Sequence, residues 1–199
     1  LAQTGTRLAA IGKIVIDPAP GEISTELVTD YDKKDPVTEV FIQALEEGFS
    51  DILNQVVATS EVTLTTSDPA TGERRIRNGE TNLGDLVADA YRVVMNADIG
   101  MVNGGGIRAD IEIGDVTYED IINVHPYGNE MCVAEATGQE ILDALELGAM
   151  NYPLEDGGFQ HVSGLTYSID VSIPSSVVLD DTGAFVGVNG AYRVTDVMV

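Results

Sequence analysis

Asn103 and Arg108 stand on either side of a glycine triplet, in the run MVNGGGIRADI over residues 101–111. An asparagine amide can hydrogen-bond the polar edge of a ring, and an arginine fork can grip a phosphate or carboxylate. Glycine loses more backbone freedom on folding than any other residue, so Gly104, Gly105 and Gly106 in a row need a reason. Close approach of a ligand to bare main chain is one. The run is not a P-loop, since no Lys-Ser or Lys-Thr follows the glycines, and the dinucleotide fingerprint G-x-G-x-x-G is absent. A tight strand-to-turn connection with a surface arginine accounts for the same letters. The second candidate is VHPYGNE, residues 124–130. Tyr127 and Asn129 would point the same way on an extended segment, and an exposed tyrosine beside an amide suits a stacking platform. The alternative is a Pro-Tyr-Gly turn with Tyr127 packed on the core, given Pro126 and Gly128.

Other reactive residue types form no constellation. His125 and His161 have no histidine or cysteine at metal-ligand spacing, so no metal site is expected in this chain. Ser163 lies outside any G-x-S-x-G elbow and shows no evident partner, and no catalytic residue is assigned. Cys132, the one cysteine, sits in the alternating run NEMCVAEA and is expected to be a buried, inert thiol on a strand.

Charge narrows the function classes. Ten basic against 33 acidic residues give −23, a surface that repels nucleic acid and anionic membranes. An anionic ligand would need a local group of cations, and Arg74, Arg75, Arg77 and Arg108 supply one. With 44% apolar residues the chain is that of a globular protein, and no run reaches the ~18 apolar residues of a membrane helix. No signal peptide is read at Leu1, so a mature product or cut fragment is expected.

These residues need elements to position them. KIVID (13–17) alternates as a strand and PAPGE (18–22) breaks it. Asp35-Pro36 opens a helix expected to reach about Val57, with Phe41, Leu45, Phe49, Ile52, Leu53 and Val56 on one face. SEVTLTT (60–66) reads as a strand, followed by a turn over 67–73. Leu83, Leu86, Val87, Ala90, Tyr91 and Val94 mark an amphipathic helix, and Ile99, Met101 and Val102 a short buried strand that feeds the glycines. Thr117 with Asp120 resembles a capping box for a helix to Val124, and Thr137 with Glu140 forms one for a helix to about Met150. Strands are expected over 129–137, 161–172 and 190–199. The expected class is α+β (mixed αβ), a mixed sheet with packed helices.

Four runs in order, TNLGDLVADAYR (81–92), NGGGIRADIEIGDVTYEDI (103–121), VHPYGNEM (124–131) and TGQEILDALE (137–146), resemble the C-terminal domain of the 5′-nucleotidase family. That family includes UDP-sugar hydrolases and 2′,3′-cyclic-nucleotide phosphodiesterases. The likeness covers about Thr38 to Val199, and residues 1–30 resemble the tail of the preceding metallophosphatase domain and a linker. Residues 31–199 then form the substrate-binding domain, cut before the family's G-G-D-G loop, which carries a ribose-binding acid.

The resemblance implies a division of labour. An N-terminal metallophosphatase domain in cis would hold two divalent metal ions, and this chain would bind the nucleotide or nucleoside. Matched by motif, the binding positions are Arg77, Asn103, Gly104, Gly105, Gly106, Arg108, Tyr127 and Asn129. Tyr127 takes the place of the first base-stacking aromatic, often Phe. Where some members carry a further arginine, four residues before Arg77, this chain has Glu73, so that contact is lost or passes to Arg74 or Arg75. The family also implies an extracellular, periplasmic or cell-surface location in a bacterium, with no membrane insertion and no nucleic-acid partner. The competing expectation is a non-enzymatic acidic surface module that keeps the fold but has lost nucleotide binding.

Overall fold

The structure is a computed structural model that describes Thr4 and residues 10–199. Expectations for residues 1–3 and 5–9 lie outside the described residues. The chain divides into two units, residues 1–50 and 51–199, and the division falls within helix α1 (Pro36–Leu53).

In the first unit, strands β1 (Ile11–Asp17) and β2 (Glu22–Val28) pair antiparallel as a hairpin, Asp17 opposite Glu22. The turn follows from Gly21 at φ 71° and from Asp17 Oδ1, which accepts the Ala19 amide at 3.0 Å. Helix α1 begins as its letters demand. Asp35 Oδ1 accepts the Thr38 amide at 2.8 Å, ahead of Pro36 at the first helical position. It stops at Leu53, short of Val57, because residues 56–60 are drawn into a strand. No residue of α1 is buried; Phe41 is 63% exposed and Phe49 56%.

The second unit carries two apolar cores. Helix α2 (Asn82–Val94) sets Leu83, Val87 and Ala88 against Val102 of β4 (Gly100–Asn103), together with Ile76, Ile107, Ile111, Val116 and Val124. The α2 N-cap is Thr81, whose hydroxyl accepts the Gly84 amide. Helix α4 (Gly138–Gly148) sets Leu145 and the following Ala149 against Leu165 and Val194. Its Thr137–Glu140 capping box is fully formed, as is that of Thr117–Asp120 at α3 (Tyr118–Val124).

The strands are short and pair two by two: β3 (Val56–Ser60) with β5 (Gly114–Thr117), β4 with β6 (Gln160–Ser163), β7 (Thr166–Ile169) with β10 (Val194–Met198), and β8 (Val177–Leu179) with β9 (Phe185–Val188). The α+β class holds. Every described pair is antiparallel, so the mixed sheet is corrected to antiparallel ribbons.

Other expectations also change. The strand over 60–66 is not built: Asn82 holds Thr63 O and the Thr65 amide, and Asp110 holds the Thr66 amide, so side chains replace the ladder. The run over 161–172 breaks into β6 and β7 at Gly164, φ 80°, where a Cβ would strike Asp98 O. Residues 129–137 form no strand and are exposed, and Cys132 is an exposed thiol. Alternation alone does not make a strand: no described strand pairs with 129–137.

Candidate functional site

Strand β4 delivers Asn103, and the next three residues, Gly104–Gly106, close into a single 3-10 turn. The β4–β6 pairing places Asn103 opposite Gln160, and the backbone bonds run on past the strand ends. The Gly104 amide donates to Phe159 O at 2.7 Å and the Gly105 amide to Gly157 O at 2.9 Å. Asn103 Nδ2 donates to the same Gly157 carbonyl at 2.9 Å.

The need for glycine at two of the three positions comes from the protein itself. A Cβ on Gly104 would strike the carbonyl of Ile76, and one on Gly105 would lie 2.8 Å from Gly157 O. Main chain packs on main chain here, as the tight-turn reading of the triplet expects. Gly106 is looser, its Cβ position lying 3.3 Å from Asn103 Oδ1.

His161 fixes the other side of that contact. It is 3% exposed, burial pushes its pKa down, and its ring nitrogen Nε2 lies 2.8 Å from Ile76 O. A neutral ring facing a carbonyl must donate, so Nε2 carries the proton. The chain His161, Ile76 carbonyl, Gly104 thus sets the height of the turn. No spacing in the sequence announces this role. Ser163 also has partners after all: its hydroxyl contacts Asp89 Oδ1 and accepts Arg92 Nε at 2.6 Å.

Arg108 is anchored by its amide to Val124 O at 3.0 Å, and its guanidinium donates to Gly105 O at 3.3 Å. Its Cζ lies 5.9 Å from the centre of the Tyr127 ring, a cation–π distance. Tyr127 sits in a turn before Gly128 (φ 60°) and is 60% exposed, so the turn is present but the ring is not packed on the core. The left-handed Gly128 also removes the simple extended spacing expected between Tyr127 and Asn129. Arg77 meets the turn through its main chain, its Cα 3.5 Å from the Cβ position of Gly104.

Asn103, Gly106 and Asn129 line one cavity of about 400 Å3 with Tyr91, His125 and Gln160. That volume is in the range of small-molecule sites. Burial lowers the pKa of His125, so the ring offers a neutral donor and acceptor at pH 7. Arg77, Arg108 and Tyr127 are not among the lining residues. Among the described residues no group of three or more His, Cys, Asp or Glu is placed to hold a metal ion.

Fold and site define a small α+β domain with a polar cavity beside a glycine turn. Residues 56–197 match the family described as 5′-nucleotidase, C-terminal domain, and the chain belongs to that family. A trifunctional nucleotide phosphoesterase of Bacillus subtilis (strain 168) is 32% identical over 165 residues, 80% of this chain and 11% of the relative. A 5′-nucleotidase of Vibrio parahaemolyticus is 31% identical over 184 residues, 92% of this chain and 31% of the relative. The crystal structure of a 5′-nucleotidase precursor from Thermus thermophilus superposes with a TM-score of 0.66 at 28% identity, covering 94% of this chain and 39% of that one. The chain therefore spans between 11% and 31% of the length of these curated relatives.

Proposed function

We propose that this chain is the nucleotide- and nucleoside-binding domain of a longer, metal-dependent phosphoric-ester hydrolase of 5′-nucleotidase type. One observation carries the proposal: the turn after β4 brings Asn103 and Gly106 into one cavity with Asn129, beside the Arg108–Tyr127 pair. In this reading Tyr127 stacks on the base, the two amides orient polar edges, and Arg108 and Arg77 supply positive charge for the phosphate. The reacting metals, two divalent ions, belong to an N-terminal metallophosphatase domain in cis, and this chain contributes no catalytic group. Export to the periplasm or cell surface goes with the same reading. No described helix is long and apolar enough to cross a membrane.

A single stacked base contributes about 1–3 kcal/mol, so this chain alone should bind adenosine at millimolar strength at best. Adenosine titrated against it should shift the Gly104–Gly106 amides and the Tyr127 ring in NMR spectra; silence of all of them would overturn the assignment. In the longer protein supplied with divalent metal, Arg108→Ala should lower kcat/KM for a nucleoside monophosphate about tenfold or more, at unchanged melting temperature. The competing picture, an acidic module without nucleotide binding, has no specific observation in its favour.

A further inference from the structure

Arg74 and Glu155 form a two-pronged pair: Arg74 Nε donates to Glu155 Oε1 at 2.9 Å, and Nη2 meets Oε2. This is the geometry in which an arginine fork would otherwise take two oxygens of a phosphate. The carboxylate is not there by chance of a floppy loop. One residue on, the Asp156 amide donates to Arg77 O at 2.9 Å, and two residues back, Pro153 O accepts Asn78 Nδ2 at 3.2 Å. One residue further, Gly157 O takes the Gly105 amide and Asn103 Nδ2, both at 2.9 Å. The segment that frames the glycine turn is thus the segment that carries Glu155 to the arginines.

We infer that Glu155 sets how strongly this site draws the anionic part of its ligand, by occupying the guanidinium of Arg74 beside Arg77. The inference rests on the nucleotide-binding reading for the identity of that ligand. The side chains are 51% and 36% exposed, so the pair is open to water and to a competing anion. Exposed pairs are weak, and a phosphate can displace the carboxylate where a buried pair would refuse it. Hydrogen bonding by Arg74 holds the Glu155 acid below its usual range, and the charge of Arg77 adds to the effect, so Glu155 is ionised at neutral pH and answers to both cations. In a chain with only ten basic residues, neutralising one is a large local change.

The test uses inorganic phosphate and adenosine as separate probes, titrated into the wild type and Glu155→Gln at low salt. Arginine Nε–H and glycine amide NMR signals report the binding. Phosphate should bind about threefold tighter to the variant, adenosine should be unchanged, and the phosphate gain should shrink at about 0.5 M salt. Placing E155Q on Arg74→Ala should remove most of the gain. Equal phosphate affinity in wild type and variant would overturn the inference, and so would equal tightening of adenosine, which would report a loosened loop. Adenosine that binds neither protein would count against the nucleoside reading, while the phosphate comparison still decides the role of Glu155.

Discussion

The two candidate segments are built by opposite means. Asn103–Gly106 is pinned by main-chain bonds to 157–159 and by the Ile76 carbonyl behind it, and Gly104 and Gly106 are buried. Residues 126–129 form an exposed turn, with Tyr127 60% open to solvent. A rigid floor faced by an adaptable wall is the lesson. Under the proposed function, order on one side would be fixed before a ligand arrives, and stacking on the other would be completed by the ligand. Stability and binding should therefore separate when each flank is mutated.

Gly104→Ala should strike hardest. Its Cβ would overlap Ile76 O, a backbone atom that cannot rotate away, so a loss of about 3 kcal/mol or more is expected. That is a fall of roughly 6–12 °C in Tm, checked by calorimetry. A melting point within a degree of wild type would mean that the floor is not rigid. Next, Tyr127→Ala should leave Tm nearly unchanged and weaken adenosine binding at least about fivefold, measured by NMR titration. A large loss of stability instead would erase the contrast between the flanks. Gly128→Ala tests the wall's backbone: φ is 60° with open space around it, so strain alone should cost about 1 kcal/mol, some 2–4 °C.

The smallest effect is electrostatic. Asp85 of α2 lines a neighbouring cavity of about 350 Å3 with Glu80, His161 and Tyr167. Burial, with the charges of Glu80 and Asp89, pushes its pKa from 3.8 up to about 6. Below pH 3.8 it is protonated folded or unfolded and has no effect; as pH rises through about 6 the folded state alone bears a desolvated charge. Stability should therefore fall between these values. Asp85→Asn should raise Tm by a degree or two at pH 7.5 and by nothing at pH 3.5, followed by circular dichroism.

Local signals were legible in the sequence where one short stretch determines the outcome. Both capping boxes, the Asp35-Pro36 helix start and the strand before the glycines could be read from neighbouring residues. What failed depended on distant partners. The alternation of 129–137 pairs with no described strand, and Leu64 meets only an isolated bridge to Ile111. The same limit applies to the site. Asn103, the glycines, Arg108, Tyr127 and Asn129 stood out by type and spacing; Asn103, Gly106 and Asn129 share one cavity, while Arg77, Arg108 and Tyr127 do not line it. Gly157 and Ile76 shape the turn through carbonyls, and every residue has one, so no letter in the sequence marked them. Where some family members carry a further arginine this chain has Glu73, so that contact is lost or passes to Arg74 or Arg75; Arg74 is tied to Glu155.

The shared Gly157 carbonyl has one more consequence. A main-chain oxygen can only accept, so the Asn103 side chain must present its nitrogen to it and cannot turn over. That leaves Oδ1 on the side of Gly106, which lines the cavity with it. The orientation of the Asn103 amide is thus set by a residue 54 positions away.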